Sequence, residues 1–317
     1  LDLPGFSRFE LAGPGAARWL SGLIAGGLPR IGRIGLGYVP DARGRIVTEM
    51  SILRHGEDSF TLISAAAAQW HDFELLQAHL APGLTLTDAT RERSTLIVTG
   101  PRSRELFARI AEADLSLPWL THQPATVAGR PAMLARVSFA GELGWEVHAA
   151  MEDIPAIHAA VLGEGATPFG MFALNSLRIE KGYRTWKGDL STDYTLLEGG
   201  LDRFIRFDKA EDFPGKAALM AETQRGPARR FAPLIVEAGA ADAPYMATLR
   251  KDGAVVGETT SGAWGYRFGA SIALGMVRTD LSAPGTELEI DIYGERRPAV
   301  VQPDRPLWDP ENSRLRA

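Results

Sequence analysis

The chain has 317 residues, 45% hydrophobic and 23% charged, with a formal net charge of -5. That length holds two or three domains with their own cores, and the acidic balance speaks against nucleic-acid binding, which calls for a basic face. Cysteine is absent, which excludes disulfides, thiolate nucleophiles and cysteine-ligated zinc or iron–sulfur clusters. No apolar run approaches the roughly 20 residues of a membrane span, so neither a membrane nor a nucleic acid is expected as a partner, and the expected compartment is the cytoplasm. The sequence starts at Leu1, inside a stretch that already reads as strand, with no signal-peptide pattern. It reads as cut from something longer, or trimmed at its start.

Phe6 to Leu11 reads as a strand. Gly13-Pro14 stops it and opens a helix with Trp19, Leu20, Leu23 and Ile24 at helical spacing. Strands at Ile34–Val39 and Arg45–Leu53 flank the turn Asp41-Ala42-Arg43-Gly44. A turn at 55–58 leads to the strand Phe60–Ile63, and an alanine-rich segment opens a helix from about Ala65 to Leu80. A similar succession follows: strand Ser94–Thr99, Gly100-Pro101, a helix with Leu106, Phe107 and Ile110, strands between Pro131 and Ala149, and a helix near Ile154–Leu162. The repetition implies two related α+β units, although Gly-Pro after a strand is also common punctuation. A helix over Phe172–Gly182, with Gly182 as its C-cap, precedes a polar loop at 187–193 and a short helix near 216–222. Gln224-Arg225-Gly226-Pro227 is the best boundary. Beyond it, about six short strands with hairpin turns at Lys251-Asp252-Gly253 and Tyr293-Gly294-Glu295 predict a small antiparallel barrel.

The stretch 131–150 carries the densest signal. Gly141 and Gly144 interrupt a run that otherwise reads as strand, which suits a sharp turn or a close approach of backbone or ligand. After the break Trp145, Val147 and Ala149 fall on one strand face, and Glu146 and His148 on the other. Glu146 could hold a polar group beside an apolar wall; a hairpin with Glu146 facing water fits the same pattern. There is no phosphate loop, dinucleotide fingerprint, helical zinc pair or GxSxG elbow. The six histidines form no ligand pattern, so no metal is expected.

The run GELGWE, the helix ALNSLRIEKGYRTWKGDLS and the segment TTSGAWGYRFG followed by IALGMVR resemble the glycine-cleavage T-protein (aminomethyltransferase) superfamily. They are most like the folate-binding C-terminal half of dimethylglycine and sarcosine dehydrogenases. The resemblance implies an α+β fold: a three-domain clover-leaf with two related α+β units and a C-terminal antiparallel β-barrel. The folate-binding body, made of two interleaved subdomains, would occupy 1–226 and the barrel 227–317. It implies tetrahydrofolate as cofactor, with FAD only in a missing N-terminal half or a partner subunit.

The resemblance also assigns residues. Asp72, in ISAAAAQWHDFELL, matches the family's catalytic aspartate. By periodicity alone Trp70, Phe73, Leu76 and Leu80 face the core and Asp72 flanks them, which equally suits a solvated helix carboxylate. Glu146 matches the pterin anchor, because a carboxylate can accept from both the 2-amino group and the ring N–H. Phe139 matches a folate-contacting position where the family often has tyrosine. Leu174 stands where glycine-cleavage enzymes carry arginine, which favours the amine-dehydrogenase branch, and Ala65 replaces a common asparagine. Lys181-Gly182-Tyr183-Arg184 lacks the cysteine of the related iron–sulfur repair proteins. Arg178, Glu180 and Tyr183 either shape the channel or serve as an intrahelical ion pair and packing. The implied activity captures the carbon of an oxidised N-methyl amine, of dimethylglycine or sarcosine type, as 5,10-methylenetetrahydrofolate, with a flavin-containing domain or subunit as partner. Alternatives are direct folate-dependent demethylation of a sulfonium or methoxy donor, and a non-catalytic folate-binding regulatory module.

Overall fold

The computed structural model describes residues 1–3 and 5–317. The first unit runs β1 (Phe6–Ala12), α1 (Ala16–Leu23), β2 (Ile34–Pro40), β3 (Ile46–Gly56), β4 (Ser59–Ala65), α2 (Gln69–Ala78) and β5 (Thr85–Asp88), with an antiparallel sheet ordered β2-β3-β4-β1-β5. The second runs β6 (Arg93–Thr99), α3 (Ser103–Ile110), β7 (Ala111–Glu112), β8 (Thr121–Val127), β9 (Arg130–Arg136), β10 (Gly144–Ala150) and α4 (Ile154–Gly163), with sheet order β6-β10-β9-β8-β7. The repeated strand, Gly-Pro, helix succession is therefore a repeated unit.

Strand alternation sorts each sheet into two faces. Phe9 and Leu11 pack with Leu20, Ile24 and Leu76 from α1 and α2, while Val147 and Trp145 pack with Phe107 and Ile157 from α3 and α4. The opposite faces meet: Ile34, Leu53, Ile63 and Phe6 of the first sheet share one cluster with Ala135, Met133 and Val137 of the second unit. The chain's start stitches the two together. Leu3 N donates to Thr95 O and Ile97 N to Leu1 O, so residues 1–3 lie along β6 before the chain enters β1 of the other sheet.

Helix α5 (Met171–Ile179) links body to barrel. It ends as the glycine at 182 requires: Gly182 takes φ +64°, with Gly182 N donating to Ile179 O and Tyr183 N to Arg178 O, the paired bonds of a Schellman ending. After α6 (Lys216–Arg225), strands β11 (Arg229–Val236), β12 (Thr248–Lys251), β13 (Ala254–Gly265), β14 (Ala270–Arg278), β15 (Glu287–Ile292) and β16 (Glu295–Val301) close into a barrel ordered β11-β14-β13-β12-β15-β16. Both anticipated hairpins carry two consecutive positive φ values, Asp252 and Gly253, then Tyr293 and Gly294, as type I′ turns require. The chain then returns to the body, where Leu307 N and Trp308 N donate to Glu180 O before α7 (Ser313–Arg316). No helix among the described residues is long and apolar enough to cross a membrane.

Candidate functional site

The glycine motif is a loop followed by β10. Gly141 has φ +73°, and a Cβ there would sit 2.2 Å from Lys181 Cγ, so only glycine lets the loop rest on the end of α5. Past the loop the alternation holds. Trp145 is fully buried, edge-on to Phe107 and flanked by Arg104 and Arg136. Glu146 and His148 face the first unit; the Glu146 side chain is 14% exposed, and its Oε2 lies 3.2 Å from Nε2 of the buried His148. Phe139, half-buried in the loop, packs with Ile97, Ala140 and Leu174 and stacks on Tyr183 with centroids 5.9 Å apart. Burial pushes the Tyr183 hydroxyl up to about 12, so it stays a hydrogen-bond donor. Glu146 is the cross-strand partner of Ile97, which brings it and Phe139 to one neighbourhood.

Asp72 lies in the first turn of α2 and is completely buried, with Oδ1 2.9 Å from His71 Nδ1 and Oδ2 without any partner. The expected stripe holds at Phe73, Leu76 and Leu80, which pack on the first core, and is corrected at Trp70 and Asp72. Asp72 stands one turn before the buried Leu76 and points inward with it, while Trp70, at the edge of the stripe, is 64% exposed. The solvated-carboxylate alternative is thereby excluded. No hydrogen bond joins Asp72 to Glu146 or Phe139 among the described residues. The framework relates them: Ala66 N, just ahead of α2, donates to Gly5 O on the segment whose first residues lie beside Ile97.

A third carboxylate escaped the sequence reading. Glu49 on β3 stands opposite Tyr38 of β2, on the face that carries Leu53 into the inter-sheet cluster. No hydrogen bond reaches its side chain among the described residues. Burial pushes its carboxyl up to about 7, with Arg184 opposing and Asp189 adding to the effect. The available signal was a single acid in an otherwise uncharged strand segment, Ile46–Leu53.

The end of α5 is fastened to the barrel by charge. Arg178 donates to Asp189 Oδ2 at 2.8 Å, to Ser261 Oγ at 2.8 Å and to Asn175 Oδ1. Asp189 also accepts from Thr185 and from Thr260 Oγ1 at 2.6 Å. Glu180 binds Arg267 and the Phe268 N–H. Neither Arg178 nor Glu180 forms the intrahelical pair that sequence spacing allowed. A cavity of about 410 Å³ opens beside this seam, lined by Asn175, Arg178, Lys187, Tyr245 and Ser261. No group of three or more potential metal ligands occurs among the described residues.

Comparison with known proteins agrees with this architecture. Residues 1–209 match the family described as the GCVT N-terminal domain, and residues 229–309 match the glycine cleavage T-protein C-terminal barrel domain. The chain belongs to the glycine-cleavage T-protein family. Among relatives of this T-protein chain, human mitochondrial dimethylglycine dehydrogenase is 31% identical over 99% of the chain, which spans only 38% of that relative. The aminomethyltransferase of Thermus thermophilus is 32% identical over 90% of the chain and 79% of its own length. The solved aminomethyltransferase T of the glycine cleavage system from Bartonella henselae superposes with a TM-score of 0.87 over 95% of this chain and 84% of its own, at 23% identity, which supports the T-protein fold.

Proposed function

We propose that this T-protein chain is a tetrahydrofolate-dependent one-carbon transfer unit that takes the carbon of an oxidised N-methyl amine and releases it as 5,10-methylenetetrahydrofolate. One observation carries the reading: Asp72 keeps a fully buried oxygen without a protein donor, and Glu146 keeps an oxygen free at the interface between the two units. Asp72 Oδ2 is buried and unpartnered; Glu146, 14% exposed, has no protein donor on Oε1 among the described residues, which leaves that oxygen open to a ligand. A buried acceptor left unpaired costs about 1–3 kcal/mol, so such oxygens mark places where a ligand donor belongs.

The residues suit a reduced pterin. Glu146 accepts two N–H bonds from its two-donor edge, and Phe139, backed by Tyr183, offers an aromatic wall. Tetrahydrofolate supplies, when bound, the amine nitrogens that receive the carbon. Asp72 holds or takes the proton that such a nitrogen must lose; a water-excluded position strengthens that interaction. Leu174, buried against the Phe139 cluster where glycine-cleavage enzymes carry arginine, leaves this wall apolar and favours a small N-methyl amine over the glycine-cleavage substrate. Oxidation of the amine belongs to a flavin-containing segment or subunit outside these residues, in keeping with the 38% of human dimethylglycine dehydrogenase that the chain spans.

Glu146→Gln tests the reading. It keeps the shape, places a donor against a donor and removes the charge. Titration calorimetry with tetrahydrofolate should show a loss of about 1.5–3 kcal/mol, roughly 10- to 150-fold in affinity. Equal affinities for the two proteins would remove Glu146 from the site.

A further inference from the structure

Glu146 does not stand alone on its strand face. His148, two residues on, is 1% exposed and points the same way. Its Nδ1 lies 3.1 Å from Thr95 Oγ1 and 3.3 Å from Arg8 Nη2, and Arg8 Nη2 also donates to Thr95 Oγ1. Arg8 comes from β1 of the first unit and is itself 1% exposed, held by Arg93 O at 2.8 Å. The cluster therefore crosses the interface between the two sheets, next to the candidate pterin anchor.

Its chemistry fixes a direction. A guanidinium only donates, so a hydrogen on His148 Nδ1 would face another donor. Nδ1 must present its lone pair. Thr95 Oγ1 accepts from Arg8 and is then free to turn its own hydrogen toward Nδ1. A neutral imidazole with bare Nδ1 carries its hydrogen on Nε2. Burial holds the ring neutral, lowering its basicity more than Glu146 raises it, with Arg8 and Arg93 working in the same sense as burial. Among the described residues Nε2 makes no hydrogen bond, and Glu146 Oε2 lies 3.2 Å from it, off the ideal N–H line. At that distance a change in the carboxylate's torsion alone could align the bond.

We infer that His148 is a positioning residue for ligand recognition: the relay Arg8–Thr95–His148 locks the Nε2–H tautomer, which pins Glu146 Oε2 and aims Oε1 at the ligand's N–H donors. The arrangement solves a conflict. Arg8 bonded directly to Glu146 would neutralise the carboxylate and occupy the oxygens that a pterin edge needs. With threonine and a neutral imidazole interposed, the carboxylate is oriented by a dipole and keeps both its charge and its free oxygen. Of the ionisable groups around the imidazole, Glu146 and Arg8 touch it, Arg93 acts through the field, His55 on β3 lies across the sheet interface, and His122 on β8 belongs to the same sheet as His148; burial lowers the basicity of both these histidines, His122 to about 4. All three histidines are therefore neutral at physiological pH, which keeps the relay intact there.

This inference rests on Glu146 as the folate anchor, so its test separates the two ideas. Selective ¹⁵N–¹H spectra of the unliganded protein should show His148 as the Nε2–H tautomer; an Nδ1–H signal would overturn the relay whatever the affinities. For tetrahydrofolate binding by calorimetry, His148→Leu should weaken affinity about 10-fold, and His148→Gln, whose amide can replace the Nε2 donor, should recover it to within about 3-fold. In a Glu146→Gln background, His148→Leu should change affinity less than about 2-fold, since there is no carboxylate left to aim. Equal losses in both backgrounds would make His148 a packing residue and sink the proposal. If Glu146→Gln alone leaves affinity unchanged, the anchor reading fails and the tautomer still reports on the relay.

Discussion

Two buried polar regions of this protein differ in one respect. At the seam between α5 and the barrel every charged atom is used: Arg178 spends its donors on Asn175, Tyr183, Asp189 and Ser261, and both Asp189 oxygens accept. Between the two α+β units and at the start of α2 the accounts stay open, with Asp72 Oδ2 unpartnered and Glu49 without a hydrogen bond among the described residues. A saturated network holds parts together, and an unsaturated one is a poor device for stability, since each orphan group is a penalty. On the proposed reading the saturated seam builds the molecule and the open carboxylate of Asp72 serves the ligand.

The contrast breaks most visibly at Asp189. Asp189→Ala leaves Arg178 buried without its counter-charge and should destabilise the fold by about 3–5 kcal/mol in urea unfolding. A loss under about 1 kcal/mol would show that the seam is not held by this pair. Asp72→Ala should do the reverse. With no partner beyond His71 to lose, its stability should stay near that of the parent and folate affinity within a few-fold, while methylenetetrahydrofolate formation slows by about 10²-fold or more. Asp72→Asn should be nearly as slow, because it cannot take the proton. The assay needs the flavin portion supplied, and must resolve enzymatic product from formaldehyde condensing with folate in solution. Normal turnover by Asp72→Ala would end its catalytic assignment.

Glu49 gives the smallest and most diagnostic effect. Burial pushes its folded carboxyl up to about 7, from the 4.5 of an ordinary glutamate. The folded state therefore binds a proton that the unfolded state has released across that window, and the stability associated with the neutral carboxyl is lost as pH rises from about 4.5 through 7. Glu49→Gln removes the ionisation, so its stability relative to the parent should climb across that window and level off above it, reaching about 1–2 kcal/mol. A pH-independent difference in melting behaviour would mean that Glu49 is solvated and ordinarily acidic.

How much of this was legible from sequence depended on distance along the chain. The barrel hairpins, the Gly182 ending and the two faces of β10 are local consequences of backbone chemistry and strand period, and they stand as read. On α2 the stripe stands at Phe73, Leu76 and Leu80, but its centre was misplaced: the buried face lies on the Asp72 side of it, which turns Asp72 inward and leaves Trp70 outside. Periodicity alone would have left Asp72 in solvent; family resemblance singled it out. Glu49 was missed because a lone acid in a strand usually marks a wet face, and only the second sheet lying across it makes that face interior. Arg8 and His148 are 140 positions apart, and no spacing rule reaches that far.

The chain's route out of the barrel sets its mechanics. A module tethered at one end can swing about a single hinge. Here the incoming strand follows α6, while beyond the outgoing strand Leu307 and Trp308 bond Glu180 O, Lys181 reaches Asp309, and Arg136 grips Leu315 O at 2.8 Å. Both exits are thus clamped to the body on either side of the seam. Rotation of the barrel as a flap would break the bonds that hold these tethers at Glu180, Asp309 and Leu315.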